Sequence, residues 1–270
     1  MGKKAILVVS IGTSQIEALE HTTLRFAEEI QGHFPEYACY IAFSSVYILK
    51  KMKSVLANAS EEFQKAQQNK YLSIEEAMEQ MIADGIEEVF VQPTHLLRGV
   101  ETDKMKEQLQ SYQTQISNIQ IAEPLLVAKE DHMQTLQAIL EEVSLEEEEA
   151  LLLVGHGTTH SANNTYQNLE YTAYVQGYRN VFVGTMEGGK SQRMTLRKLS
   201  ASGYKKVRLM PLLFVAGYHA NKDILMGENS WKNILEEAGF QVCPVMKGLG
   251  EYKGIRDIFL RHLETKTRES

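Results

Sequence analysis

Three side chains suited to metal binding or acid–base chemistry each follow a predicted strand in the second half of the chain. They are His156, Glu187 and His219. The strand before His156 is the apolar run 150–154, and glycines flank the histidine on both sides. The carboxyl ends of parallel strands meet at one edge of a sheet, where α/β proteins bind ligands. We therefore expect the three side chains to share one cleft.

Two imidazoles and a carboxylate favour a borderline divalent ion such as Co²⁺, Fe²⁺, Ni²⁺ or Zn²⁺. Three protein ligands leave coordination positions open for exchange. The same groups can instead act as bases, because imidazole titrates near neutral pH. Cys39 and Cys243 are the only cysteines, too few for a thiolate cluster, and a disulfide framework is not expected.

The elements that must position these groups alternate between strand and helix. Apolar, β-prone runs predict strands at 5–10, 37–43, 88–92, 119–122, 150–154 and 181–183. Helical spacing predicts helices at 16–34, 46–70 with a break near Asn58, 104–115 after a loop at 93–103, and 131–143. Ser73 and Glu76 form a capping-box pattern that starts a further helix ending near Asp84.

The two halves of the chain repeat one another. Segment 83–89 matches 201–207, and Pro93 and Gly99 match Pro211 and Gly217, at an offset of 118 residues (201 − 83). The turn 10–13 matches 155–158 at an offset of 145 (155 − 10). The prediction is an α/β chain of two similar Rossmann-like lobes, 1–128 and 129–270, each with a parallel four-stranded sheet flanked by helices. A last helix that packs back on the first lobe is compatible with this prediction.

Composition narrows the functional class. Of 270 residues, 43% are hydrophobic and 23% charged, which is typical of a soluble globular protein. A net charge of −7 argues against a nucleic-acid or anionic-membrane surface. No apolar run reaches the roughly 18 residues of a membrane helix. We expect a cytoplasmic protein, and a homo-oligomer is left open.

The sequence resembles the anaerobic-type sirohydrochlorin cobaltochelatases, class II chelatases that insert Co²⁺ into a tetrapyrrole without ATP. The motifs that carry the resemblance are VVSIGTS at 8–14, GHGTTHSA at 155–162, Met186-Glu187 and LMPLLFVAGYHA at 209–220. With 230–232 and 248–250 they extend over nearly the whole chain. The resemblance implies a chelatase-like fold with the macrocycle between the lobes, and formation of cobalt-sirohydrochlorin in anaerobic cobalamin biosynthesis.

The resemblance also implies roles for individual residues. His156, Glu187 and His219 would hold the metal, which is a substrate, and Glu101 in the first-half loop would face the cleft. Metal insertion itself requires the pyrrole protons to leave, and we expect a histidine, with Glu101 nearby, to accept them. Donors to the carboxylates of the macrocycle are not singled out by any pattern; the candidates are Ser10, Thr13, Thr158 and Arg98. No organic cofactor is expected, since Gly12-Thr13 lacks dinucleotide or P-loop spacing.

Three alternatives remain open at this point. The metal can be Fe²⁺ or Ni²⁺, or the macrocycle a different one. The protein can be a metal or tetrapyrrole carrier without turnover. A strand-end Gly-His-Gly can also host a phosphorylated histidine, although no arginine stands beside His156 to clamp a phosphoryl group.

Other residues are predicted to have structural roles. His160 is expected to hydrogen-bond its own turn, and Trp231 to pack a helix onto the sheet. The acidic run 146–149 is predicted to be a solvated helix end, and His95 a surface or packing residue.

Overall fold

A computed structural model describes residues 2–57, 71–187 and 189–269. The side chains of Leu56, Lys190, Ser191 and His219 lie outside this description, as does the predicted helix 46–70 beyond residue 57. The chain divides into two compact units, Met1–Leu125 with Arg256–Ser270 (unit 1) and Leu126–Ile255 (unit 2). The division into domains at 128/129 stays a prediction.

Unit 1 is built on a parallel sheet. Its strands are β1 (Lys3–Ser10), β2 (Ala38–Phe43), β3 (Leu72–Ser73), β4 (Ile86–Pro93) and β5 (Asn118–Ile121), in the order β3-β2-β1-β4-β5. All the pairings are parallel. The prediction of α/β units with parallel sheets is confirmed. The expected number of four strands is wrong here, because β3 has two residues and is too short to produce a periodic signal.

Helices connect the strands of unit 1. They are α1 (Ile16–Leu19), continued through a π-helical turn (Glu20–Leu24) into α2 (Arg25–His33), then α3 (Val46–Ala57), α4 (Ile74–Ala83) and α5 (Val100–Gln110). The predicted capping box is confirmed. The backbone N–H of Glu76 donates to Ser73 Oγ at 3.0 Å, and Ser73 N–H donates to the Glu76 carboxylate at 2.8 Å.

The predicted bounds of the loop 93–103 and of the helix 104–115 are wrong, although a helix is present here. Helix α5 starts at Val100, so Glu101 lies in its first turn and not in a loop. Its N-cap is Gly99, a residue with no side chain that could accept a hydrogen bond from the first turn. The start therefore lacks the Ser, Thr, Asp or Asn signal by which helix beginnings are recognised in a sequence.

Unit 2 carries a second parallel sheet, of four strands. They are β6 (Glu149–Gly155), β7 (Val181–Thr185), β8 (Lys206–Pro211) and β9 (Gln241–Pro244), in the order β7-β6-β8-β9. The helices are α6 (Lys129–Glu142), α7 (Asn164–Val175), α8 (Gly189–Ser202), α9 (Tyr218–Ala220) and α10 (Trp231–Glu237). Short 3₁₀ turns occupy Ser161–Asn163 and Leu249–Glu251, and a π-helical segment Asn221–Met226. Helix α11 (Lys253–Arg268) follows, and from Arg256 onward it belongs to unit 1.

The internal repeat read from the sequence recurs in backbone conformation. Gly12 and Gly157, matched at an offset of 145, both have positive φ, 92° and 85°. Gly99 and Gly217, matched at 118, are both helix N-caps with ψ of −168° and −163°. The repeat is therefore one of chain path as well as of residue type.

The core of unit 2 forms around β6, whose residues are all buried. Trp231 is fully buried against Gly184, and its indole N–H donates to the carbonyl of Thr185 at 3.2 Å. This confirms that Trp231 packs its helix onto the sheet. A Cβ at Gly184 would lie 2.6 Å from the indole ring, so only glycine fits there.

The prediction that the acidic run is a solvated helix end is wrong for Glu149. This residue begins β6, is 1% exposed, and accepts two hydrogen bonds from the Arg208 guanidinium at 2.8 and 2.9 Å. The paired arginine offsets the cost of burying a carboxylate.

Among the described helices, none combines the length and the apolar character needed to cross a bilayer.

Candidate metal site

Three neighbouring strands of unit 2 bring the predicted metal ligands to one edge of the sheet. Strand β6 pairs in parallel with β7 on one side and with β8 on the other. His156, Glu187 and His219 follow these three strands in the direction of their carboxyl ends. All three residues therefore come after strands that end at the same edge of the sheet.

The turns that carry His156 and Glu187 are joined by main-chain hydrogen bonds. The N–H of Met186 donates to the carbonyl of Gly155, and the N–H of Glu187 to the carbonyl of His156, each at 2.9 Å. These bonds extend the β6–β7 pairing past its last paired residues, Gly155 and Thr185. The Thr185 hydroxyl adds a bond to the carbonyl of Glu187 at 2.6 Å.

Gly157 permits this close approach of the two turns. Its φ of +85° favours glycine, and a Cβ there would lie 2.6 Å from the carbonyl oxygen of Glu187. Below the turn, the buried ring of Tyr166 fills the space that a Cβ on Gly155 would need, and its hydroxyl accepts a bond from the Gly157 N–H at 3.5 Å. Burial raises the pKa of the Tyr166 phenol, so it stays neutral.

The His156 and Glu187 side chains lie side by side and open to solvent. His156 Nδ1 is 4.0 Å from Glu187 Oε2, and the side chains are 59% and 64% exposed. Nδ1 also lies 3.0 Å from the carbonyl oxygen of Gly157. A carbonyl only accepts, so this contact is a hydrogen bond in the tautomer that carries its proton on Nδ1; in that neutral tautomer the Nε2 lone pair is available to a metal.

His219 is described by its backbone alone. It lies in α9, between Tyr218 and Ala220, and the helix begins at Gly217. Ala216 and Ala220 are buried in the core of unit 2 and fix this segment on the sheet. Among the side chains that the structure describes, no three His, Cys, Asp or Glu form a metal-binding group. The His219 side chain is outside that description, so the predicted trio stays a prediction.

Thr158 and His160 shape the turn after His156. The N–H of His160 donates to the Thr158 hydroxyl, and the N–H of Ala162 to His160 Nδ1, both at 3.1 Å. The structural role predicted for His160 is confirmed, because it caps the 3₁₀ turn Ser161–Asn163. Thr158 is the one substrate-binding candidate that lies in unit 2.

The charged candidates of unit 1 are paired locally. The Glu101 side chain is 42% exposed and forms an ion pair with Lys104 at 3.0 Å. Arg98 donates from Nε to the Glu123 carboxylate at 2.8 Å and makes a second bond from its terminal nitrogen. These hydrogen bonds raise the pKa of Arg98. A substrate carboxylate would have to compete with Glu123 for this guanidinium.

The hydroxyl candidates of unit 1 are also engaged in the fold. Ser10 is 1% exposed, and its hydroxyl bonds the Thr23 hydroxyl at 3.2 Å. Thr13 is 5% exposed and accepts from the N–H of Gln15 at 3.2 Å. It lines a small, mostly apolar cleft with Leu19, Met52 and Tyr71. Both positions suit a turn more than a carboxylate receptor, and a role in substrate binding stays a prediction.

His95 is the polar residue that sequence reasoning undervalued. It follows β4, is 5% exposed, and in the described part of the chain neither ring nitrogen has a hydrogen-bond partner. Burial lowers the pKa of its imidazole to about 4, against an opposing influence of the Glu101 charge. The packing role predicted for it accounts for the burial but not for two orphaned nitrogens.

Known structures define the class of this fold. The chain aligns with the sirohydrochlorin chelatase SirB from Bacillus subtilis subspecies spizizenii, solved in complex with cobalt, at a TM-score of 0.64 and 13% identity. The alignment covers 99% of this chain and 96% of that one. The fold is therefore that of the chelatases. More particularly, the chain belongs to the family described as Cobalt chelatase (CbiK), whose profile matches residues 4–268.

Two relatives of known name align over nearly their full length. One is the sirohydrochlorin cobaltochelatase of Salmonella typhimurium, 29% identical over 266 residues, which are 97% of this chain and 95% of the relative. The other is the sirohydrochlorin cobaltochelatase CbiKC of Nitratidesulfovibrio vulgaris, 30% identical over 269 residues, 97% and 90% of the two chains. The family resemblance read from the motifs is confirmed.

Proposed function

We propose that this chain inserts Co²⁺ into sirohydrochlorin without ATP, the reaction named for its relatives. The observation that carries the proposal is the solvent-open pair of His156 and Glu187, whose turns are joined by main-chain hydrogen bonds within a chelatase-family chain. A neutral imidazole nitrogen and a carboxylate suit a borderline ion such as Co²⁺.

Metal insertion requires an ion that is bound but not enclosed. His156 and Glu187 would hold the partly dehydrated ion, with His219 as third ligand, and leave positions that the ring nitrogens take over from water. The pyrrole protons must leave as the metal enters. A histidine, with Glu101 nearby, is proposed to accept them.

The phosphotransfer alternative is disfavoured by the surroundings of His156. A phosphoryl group on that imidazole would lie beside the Glu187 carboxylate, and like charges at such short distances repel. A phosphohistidine needs a cationic clamp in place of this carboxylate.

In this proposal the reaction takes place in the cytoplasm and needs no organic cofactor. Cys39 and Cys243 are free thiols, the state expected in a reducing compartment.

The test is an insertion assay followed by visible spectroscopy, with Co²⁺, Fe²⁺ and Ni²⁺ offered separately. We expect wild-type protein to accelerate Co²⁺ insertion, and His156→Ala, Glu187→Gln and His219→Ala each to lower the rate by about 10² or more, because each removes a ligand. His160→Asn is the matched control. Asparagine keeps an acceptor for the Ala162 N–H, so its rate should equal that of wild type.

Two results would count against the proposal. Stoichiometric binding of metal or macrocycle without acceleration would make the protein a carrier. Equal rates in wild type and all three ligand variants would remove the site.

A further inference from the structure

His156 and Glu187 follow strands that differ in their support. Strand β6, which leads to His156, has β7 on one side and β8 on the other. Strand β7, which leads to Glu187, lies at the edge of the described four-stranded sheet and pairs there with β6 alone. The open side of an edge strand presents main-chain groups that no neighbouring strand satisfies. The carboxylate proposed to bind the metal is therefore carried by the less supported of the two strands.

Side chains bond the main chain of β7 where a neighbouring strand is missing. The Val183 N–H donates to the Glu170 carboxylate at 2.9 Å, and the Val183 carbonyl accepts from the Thr195 hydroxyl at 3.1 Å. Glu170 lies in α7 and Thr195 in α8. Two residues further along the strand, the Thr185 carbonyl accepts from the Trp231 indole N–H at 3.2 Å. The strand is thus fixed as far as Thr185.

Thr185 connects this fixed strand to Glu187. Its hydroxyl donates to the Glu187 carbonyl at 2.6 Å, while the Glu187 N–H donates to the carbonyl of His156 at 2.9 Å. Both main-chain groups of Glu187 are therefore bonded. Thr185 also lies against the His156 turn, because a Cβ added to Gly157 would be 3.0 Å from Thr185 Cβ. Thr185 is 2% exposed, so its hydroxyl is held away from bulk water.

We propose that Thr185 is the positioning residue for the Glu187 carboxylate and acts through the main chain of the turn; this rests on the proposed function. The Glu187 side chain is 64% exposed, so the turn, more than packing, sets the direction in which it leaves the main chain. Hydrogen bonds that orient a metal ligand from behind contribute about 10- to 100-fold to metal affinity. The Thr185 hydroxyl therefore controls Co²⁺ affinity without touching the ion or the macrocycle.

The experiment compares Thr185→Val, Thr185→Ser and Thr195→Val in the full chain, with Co²⁺ alone as the probe. Thr185→Val replaces the hydroxyl by a methyl group and should raise the calorimetric Kd for Co²⁺ about tenfold. Thr185→Ser keeps the donor, so its Kd should stay within about twofold of that of wild type. Thr195→Val is the matched control, because it removes a buried hydroxyl bonded to the same strand. It should lower the urea midpoint as Thr185→Val does and leave the Kd unchanged.

Steady-state insertion assays add a readout that a loss of stability alone would not move. In Thr185→Val we expect KM for Co²⁺ to rise about tenfold and KM for the macrocycle to stay within about twofold. Thr185→Ala removes the hydroxyl without adding bulk and should show the same split. It takes the place of Thr185→Val if that variant does not fold.

Three results would overturn the positioning role: an unchanged Co²⁺ Kd in Thr185→Val, an equal rise in Thr195→Val, or a rise in Thr185→Ser as large as in Thr185→Val. Glu187→Gln separates these results from failure of the proposed function. If wild type inserts Co²⁺ and Glu187→Gln does not, they overturn the role of Thr185 alone. If wild type inserts no metal, the proposed function fails and the role of Thr185 with it.

Discussion

His156 and Glu187 illustrate what the sequence can and cannot say about single residues. Both stand directly after apolar strands, so their arrival at one sheet edge follows from strand alternation. Their 4.0 Å separation depends on the two backbone bonds between their turns, which no local pattern encodes. His95 was undervalued for a related reason, since burial of a polar residue depends on what packs over it.

Burial of His95 predicts a specific pH dependence of stability. Its pKa is about 4 in the folded state, below the ordinary value of about 6.5. Between these values the unfolded chain binds the proton and the folded chain does not, so the free energy of unfolding falls as pH falls from 6.5 to 4. The loss attributable to His95 is about 3 kcal/mol at the lower end.

Urea unfolding of wild type and His95→Gln between pH 7 and pH 4 measures this effect. The variant should lose about 3 kcal/mol less than wild type over the window. His21→Gln, which removes a solvent-exposed histidine, is the control and should follow the wild-type curve. Parallel curves for wild type and His95→Gln would show that His95 ionises as freely as an exposed residue.

At the scale of elements, the strands were well predicted and the helix starts less so. Strands of buried parallel sheets are continuous apolar runs, such as β6, which the sequence marks plainly. Helix α5 begins at a glycine cap, and β3 has two residues; neither produces a periodic or capping signal. Because the start of α5 gives no capping signal, the sequence placed Glu101 wrongly in a loop.

The turn at Gly157 gives a prediction about the element that joins β6 to β7. Gly157→Ala must place a Cβ 2.6 Å from the Glu187 carbonyl oxygen at a φ of +85°. Gly177, with a φ of +92° and no described atom within 4 Å of its Cβ position, is the matched control. Gly177→Ala should cost about 1 kcal/mol from backbone strain alone.

Gly157→Ala should cost more than this and also weaken Co²⁺ binding at least tenfold, because the bond between Glu187 and His156 must open. Urea unfolding and calorimetric titration with Co²⁺ measure the two effects. Equal destabilisation in both variants together with unchanged Co²⁺ affinity would show that the joined turns do not set the site.

At the scale of the whole molecule, net charge predicts how the two substrates respond to salt. The chain carries −7, the macrocycle carries many carboxylates, and the metal is a cation. Raising NaCl from about 20 to 200 mM shortens the Debye length from roughly 20 to 7 Å. We expect kcat/KM to rise for the macrocycle and to fall for Co²⁺, with kcat unchanged.

Steady-state assays in which one substrate is varied at each salt concentration test this. Substituting Na₂SO₄ at equal ionic strength controls for specific effects of chloride. A fall in kcat/KM for the macrocycle would show that a local cationic patch, such as one including Arg98, outweighs the overall charge.

The two main-chain hydrogen bonds that join Gly155–His156 to Met186–Glu187 have a consequence for turnover. Hydrogen bonds between the two turns fix the spacing of the main chain that carries His156 and Glu187. If His156 and Glu187 bind the ion as proposed, this fixed main chain lets the next ion bind without first rebuilding the turns. Because both side chains face water, an ion bound between them would remain open to exchange with the macrocycle.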